Sequence, residues 1–292
     1  MNIIHIIIYY ALLIITFQYA KKKKYYYTIL IIIYLFYLNN LNYFKNYDQI
    51  TVIDIGQGDS ILINLAHNKG TYLIDTGGKY GSTFSYAQNT TIPYLKSLGI
   101  KKIDYLILTH GDYDHAGEAN YIINNFKVNH VIFNCGHYNY LERELIKLLE
   151  SKNIKYASCV SRTDNLSFLQ TMDFNNENDN SIVIYTKINN YSFMFMGDAS
   201  IKTEAEIMKK YNLPKIDILK AGHHGSNTSS SKEFIDTINP DYTLISVGLN
   251  NKFKHPHQET LDNLVNSKIY RTDLDGSITI YIKNRQLHIS SF

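Results

Sequence analysis

The most constraining feature of this 292-residue chain is Thr109-His110-Gly111-Asp112-Tyr113-Asp114-His115-Ala116-Gly117, placed directly after the apolar run Ile103-Asp104-Tyr105-Leu106-Ile107-Leu108. The run reads as a buried strand, and the ligand-rich segment as the polar loop it runs into. His110, Asp112, Asp114 and His115 carry imidazole and carboxylate groups, the donors that hold zinc, manganese and iron. The loop has no apolar surface to bury. One such side chain would suit a solvated turn, but four within six residues at a strand end point to a metal site.

The rest of the chain supplies a scaffold for such a loop. Apolar runs at 50–55, 60–64, 71–75, 104–108, 131–134, 181–185, 191–196, 216–220, 242–247, 277–282 and 286–290 read as strands bounded by Gly, Asn and Asp turns. Helical spacing appears at 92–98, 116–125, 140–149, 202–211, 234–238 and 259–265. Mixed strands and helices without a repeat of about 20 to 50 residues predict one layered α/β domain over 48–292, with no internal linker.

Residues 1–47 differ in character. Apolar stretches at Ile3–Tyr19 and Tyr25–Leu38 flank Lys21-Lys22-Lys23-Lys24. At about 20 residues per bilayer crossing they read as two short spans joined by a cytoplasmic turn. A cleavable signal peptide fits poorly, because the positive charge follows the first apolar run. The positive-inside rule then puts 48–292 on the extracytoplasmic face of the cell membrane, whereas an interfacial second segment would leave it in the cytoplasm. The formal charge of +3 misleads about partners: five of the 29 Lys and Arg precede residue 48, leaving 24 against 26 Asp and Glu. A nucleic-acid partner would need a locally basic face or metals to hold phosphate. Cys135 and Cys159 have no metal-like spacing; a disulfide and two buried free thiols both remain open.

Other predicted strands also end in chemistry-bearing residues: Asp75-Thr76-Gly77, Gly197-Asp198, Gly222-His223-His224-Gly225-Ser226, and His255-Pro256-His257 beyond the 242–247 run. Loops at strand ends are where α/β scaffolds build sites.

With these motifs in view, the chain resembles the metallo-β-lactamase superfamily. More narrowly, it is similar to the C-terminal metallo-hydrolase domain of the ComEC family of DNA-internalisation competence proteins. The stretches that carry this are Asp54-Ile55-Gly56-Gln57-Gly58-Asp59-Ser60, Leu73–Gly77, Thr109–Gly117, Asn178-Asp179-Asn180-Ser181, Met196-Gly197-Asp198, Gly222–Ser226, His255-Pro256 and Tyr270–Gly276. The resemblance covers roughly 49–283. It implies a four-layer αββα sandwich and two divalent metal ions, Mn or Zn. His110 and Asp112 would belong to one ion, Asp114 and His115 to the other, and Asp198 would bridge them. One of His223 and His224 would complete the second site.

Asp75 would orient a ligand from behind. Asp114 or Asp198 would orient the attacking water, and His255 would donate to an oxyanion or protonate a leaving group. Gln57, Asn180 and Ser226 are candidate substrate-binding groups; for Ser226 the alternative is an ordinary helix cap. Two departures matter. The superfamily's third-motif His is replaced by the Glu177–Asn180 segment, and the many spans and extra domain of ComEC proteins have no counterpart here, so the chain reads as a split, truncated or repurposed member. Carboxylate in place of imidazole hardens the first site and weakens it. The implied activity is a phosphodiesterase acting on single-stranded DNA at the membrane, alongside other DNA-uptake components. A hydrolase of a small ester, thioester or lactone and a non-catalytic scaffold are the alternatives.

Overall fold

The computed structural model describes residues 3–20, 26–169 and 176–291. Fourteen strands are described: β1 Asp48–Val52, β2 Ile61–Asn64, β3 Thr71–Ile74, β4 Ile103–Ile107, β5 Val128–Phe133, β6 Lys155–Ser158, β7 Ser167–Leu169, β8 Val183–Ile188, β9 Tyr191–Phe195, β10 Ile218–Lys220, β11 Tyr242–Ile245, β12 Lys268–Arg271, β13 Ile278–Lys283 and β14 Gln286–Ser291. They form two mixed sheets, in the orders β14-β13-β1-β2-β3-β4-β5-β6 and β12-β11-β10-β9-β8-β7.

Side-chain alternation makes the layers. Along β2, Ile61 and Ile63 enter the core between the sheets while Leu62 faces the other way. Along β9, Phe193 and Phe195 stack into that central core, and Met194 faces outward. The outward faces are covered by helices. Leu95, Ile122, Leu145 and Leu149 close one sheet; Ile207, Phe234, Ile235 and Ile238 close the other. Three apolar layers between four structural layers give the αββα sandwich expected from the resemblance.

Parallel pairing places the site. β3 and β4 pair in parallel, as do β9, β10 and β11, so within each sheet their carboxyl ends leave at the same edge. The loops bearing Asp75, His110–His115, Asp198 and His223–His224 all emerge from those ends.

Two expectations change, and one open alternative is decided. First, Ile3–Ala20 (α1) and Tyr26–Asn39 (α2) are helical, but no helix among the described residues is long and apolar enough to cross a membrane. At 1.5 Å per residue they run about 27 and 21 Å, short of a hydrocarbon core of about 30 Å. The transmembrane hairpin is thus without structural support, and the Lys21–Lys24 turn lies outside the described residues. Second, Cys135 and Cys159 form a disulfide with Cα atoms 4.8 Å apart, and Cys159 is exposed. β5 and β6 are parallel neighbours, so the residues beyond their ends lie side by side. Third, β6, β7 and β12 arise where no strand was expected. β6 and β12 are edge strands, β6 fully exposed and β12 at most half-buried, so neither carries a strong apolar signal.

Candidate metal centre

Each histidine in the centre is held by one ring nitrogen, leaving the other turned inward. His115 Nδ1 donates to Asp75 Oδ2 at 2.8 Å; the same carboxylate accepts the Thr109 N–H and hydroxyl, both at 2.7 Å. The Asp75 carboxylate therefore fixes the orientation of the His115 ring. His224 Nδ1 donates to the Ser246 carbonyl at 2.9 Å. His110 Nδ1 meets the hydroxyls of Thr109 (3.1 Å) and Ser181 (3.3 Å). The Gly222–Gly225 turn needs left-handed backbone at both His223 (φ 45) and His224 (φ 54), and it turns both rings toward Asp198.

Asp198 is the meeting point. Its Oδ1 lies 3.1 Å from His115 Nε2 and 3.6 Å from His224 Nε2; its Oδ2 lies 3.9 Å from His110 Nε2 and 3.7 Å from His223 Nε2. Asp114 Oδ2 sits 3.4 Å from His224 Nε2, and Asp112 Oδ2 3.7 Å from His110 Nε2. The carboxylate thus faces two groups of donors: His115 and His224 on one oxygen, His110 and His223 on the other, with Asp114 beside His224 and Asp112 beside His110. His224 and His115 are buried and Asp114 beside them is partly exposed; His223 is also partly exposed, its Nε2 3.5 Å from Asn178 Nδ2.

These residues fit divalent cations. The Nε2 atoms of His110, His115 and His224, Asp198 Oδ1 and Asp59 Oδ1 are all buried without a well-formed hydrogen bond. Buried polar atoms left unpaired are costly, and here they converge. One donor atom from each of Asp59, His115, Asp198 and His224 lies within 4.8 Å of all the others.

The electrostatics of the metal-free cluster follow from this crowding. Burial alone would lower the His224 imidazole, but Asp198, Asp114 and Asp59 raise it to about 9. His115 is likewise raised well above the usual range, against burial, by Asp198 and Asp75. Burial favours a neutral Asp198, yet the surrounding imidazoles hold it well below the usual carboxylate range. His110 is lowered to about 3 by burial and then by its neighbour His115. Asp112 rises to about 6 through burial and the charges of Asp114 and Glu177. The protonated imidazoles stand where cations would be, and metal binding would release their protons.

The other residues singled out from sequence divide. His255 packs edge-on against the His223 ring, centres 5.7 Å apart; burial and then the neighbouring imidazoles lower it to about 4. Gln57 Oε1 accepts the Gly248 N–H, tying two loops at the rim. Ser226 is buried, and its hydroxyl is used inside its own turn with Thr228; the cap of the following helix Lys232–Ile238 is Ser231, which accepts the Phe234 N–H. Asn180 lies in the short Asn178–Asn180 turn, and it is Asn178 that approaches His223. Glu177, in the segment replacing the third-motif histidine, accepts the Gly111 N–H at 2.7 Å and braces the ligand loop.

Sequence reasoning missed Asp59 and Lys220. Both are fully buried and form an ion pair directly behind the centre, with Asp59 Oδ1 3.5 Å from His224 Nδ1. A charge in Lys220, the last residue of an apolar strand, was the available signal.

A model of the metallo-beta-lactamase superfamily matches residues 53–248. The chain belongs to the metallo-β-lactamase superfamily. As a member, it is a metal-dependent hydrolase by fold and by its donor cluster. The metallo-beta-lactamase fold protein YhfI from Bacillus subtilis superposes with a TM-score of 0.53 over 84% of this chain and 100% of that one, at 11% identity, a likeness of fold. ComE operon protein 3 of Bacillus subtilis (strain 168) is 34% identical over 259 residues, 81% of this chain and 33% of that protein. Competence protein ComA of Neisseria gonorrhoeae is 32% identical over 243 residues, 80% of this chain and 32% of that protein. This superfamily member is therefore related to competence proteins and spans about a third of the length of the curated relatives it matches.

Proposed function

We infer that the chain cleaves phosphodiesters of single-stranded DNA in competence-related uptake. The observation that carries this is a complete donor cluster, shared out by Asp198, in a chain related along four-fifths of its length to competence proteins. Asp114, His115 and His224 would hold one cation; His110, Asp112 and His223 would hold the other; Asp198 would serve both. His223 would then stand in for the missing third-motif histidine. The three carboxylates make the set hard, favouring Mn over Zn. Divalent ions bound there would lower the pKa of a water and neutralise phosphoryl oxygens.

The remaining work falls to the side chains. Asp114 and Asp198 accept hydrogen bonds from the attacking water and fix its direction. His255 is neutral at neutral pH, so it donates a hydrogen bond to the developing oxyanion and does not act as a proton source. Gln57 keeps the Gly248 loop, which leads to His255, in place. A membrane location with the hydrolase domain on the outer face is part of the proposal; the Cys135–Cys159 disulfide fits an oxidising compartment. The test is Mn-dependent hydrolysis by the full-length chain of single-stranded DNA against a panel of thioesters and lactones. Hydrolysis of the panel with DNA untouched would replace the phosphodiesterase reading by the small-ester one.

A further inference from the structure

The domain carries no excess of positive charge, 24 Lys and Arg against 26 Asp and Glu, so an anionic polymer must be held by something local. Two loops at the mouth of the centre differ from the rest. The segment 77–86 contains Lys79 and no acidic residue; the segment 248–258 contains Lys252 and Lys254 and no acidic residue. Each presents an exposed aromatic ring beside its lysine: Tyr80 is 85% exposed and Phe253 48%.

Neither ring hangs free. Tyr80 packs edge-on against Tyr113, centres 5.6 Å apart, and Tyr113 lies between Asp112 and Asp114 in the ligand loop. The Tyr113 carbonyl lies so near Gly78 that a Cβ there would approach it to 2.6 Å, so the Tyr80 loop is seated closely on the ligand loop. Phe253 stacks on His255 with centres 5.6 Å apart, and His255 in turn contacts His223. Lys252 holds its ammonium 4.8 Å from the Phe253 ring centre. The two rings thus reach the centre from two separate loops, one through Tyr113 and the other through His255.

Single exposed aromatics are ordinary on protein surfaces. Two rings braced against Tyr113 and His255, with Lys79 beside one and Lys252 and Lys254 flanking the other, form the combination that holds single-stranded nucleic acid without reading sequence: rings stack on bases, and ammonium groups meet phosphates. We propose that Tyr80 and Phe253 are base-stacking platforms for single-stranded DNA, with Lys79, Lys252 and Lys254 contacting the phosphates on either side of the cleaved bond. This rests on the phosphodiesterase reading and deepens it: substrate is held by stacking and local charge, so cleavage is indifferent to sequence.

The experiment measures anisotropy of fluorescein-labelled dT20 with the full-length chain in EDTA, beside the same oligonucleotide carrying a run of abasic sites. Tyr80→Ala and Phe253→Ala are each expected to weaken dT20 binding about tenfold or more. Abasic substitution should weaken wild-type binding and have little further effect in the double variant. Phe253→Tyr should bind like wild type, and Lys252→Ala should reduce the steepness of the salt dependence by about one phosphate contact. Equal binding by wild type and both alanine variants, or an abasic penalty unchanged in the double variant, would overturn the platforms while leaving the phosphodiesterase reading intact. A wild-type chain that neither binds nor, with Mn, cleaves dT20 would overturn both.

Discussion

The Asp59–Lys220 pair allows a quantitative prediction. Lys220 is 0% and Asp59 1% exposed, and among the described residues Asp59 is the only acidic partner of the Lys220 ammonium. Asp59 also donates its backbone N–H to the Asp114 carbonyl at 3.1 Å and stands behind His224. Lys220→Met keeps the length of the side chain and removes its charge, leaving the buried Asp59 carboxylate without its main counter-charge and with the His224 imidazole 3.5 Å away; the expected cost is about 3 kcal/mol, the low end for a broken buried pair. For a domain of this size each kcal/mol shifts Tm by about 2–4 °C, so the variant should melt roughly 10 °C lower in EDTA. Lys220→Met with Asp59→Asn removes both charges and should recover at least half of the loss, since most of the penalty is the stranded charge and little is the pair's net worth. Urea unfolding of the two single variants and the double variant at pH 7 closes the cycle. A Lys220→Met chain within about 1 kcal/mol of wild type, or a double variant as unstable as the sum of the singles, would refute the argument that this buried pair is held by mutual neutralisation.

Asp198→Ala should abolish Mn-dependent hydrolysis, by about 1,000-fold or more in kcat/KM, with no recovery at high Mn, because both donor groups lose their shared carboxylate; Asp112→Ala should be partly restored by excess Mn in the same titration. In EDTA, stability should depend on pH through His224: its raised pKa contributes stability fully present below about pH 6.5 and lost as pH rises through about 9, on the order of 3 kcal/mol. Thermal melts from pH 6 to 9.5 should therefore fall without metal, and stay flatter with Mn, which needs the neutral ring; a flat EDTA curve would contradict the raised imidazole. Cys135→Ser should cost about 3 kcal/mol, the entropy of a closure spanning 24 residues, while leaving Mn-dependent hydrolysis unchanged, as read by melts beside activity.

Much of the site was legible because its residues are local. Thr109–Gly117 carries four donors in one loop, and Asp75, Asp198 and His223–His224 each follow an apolar run that ends where a parallel strand ends. The near-continuous apolar runs of β2 and β9 show burial on both faces in the sequence itself, and the ordered motifs carry the family. What the tertiary structure alone decided concerns pairs distant along the chain. His223 and His224 are chemically identical neighbours; only the left-handed turn buries His224 between Asp114 and Asp198 and leaves His223 partly exposed on the other Asp198 oxygen. Asp59 and Lys220 lie 161 residues apart and meet because the loop before β2 folds against the end of β10. The pairing of Cys135 with Cys159 required β6, an exposed edge strand with no apolar period. Spacing along a chain reports the donors one loop can gather. Which face of a turn points inward, and which buried charge neutralises another, is set by sheet register and packing, and these are properties of the folded whole.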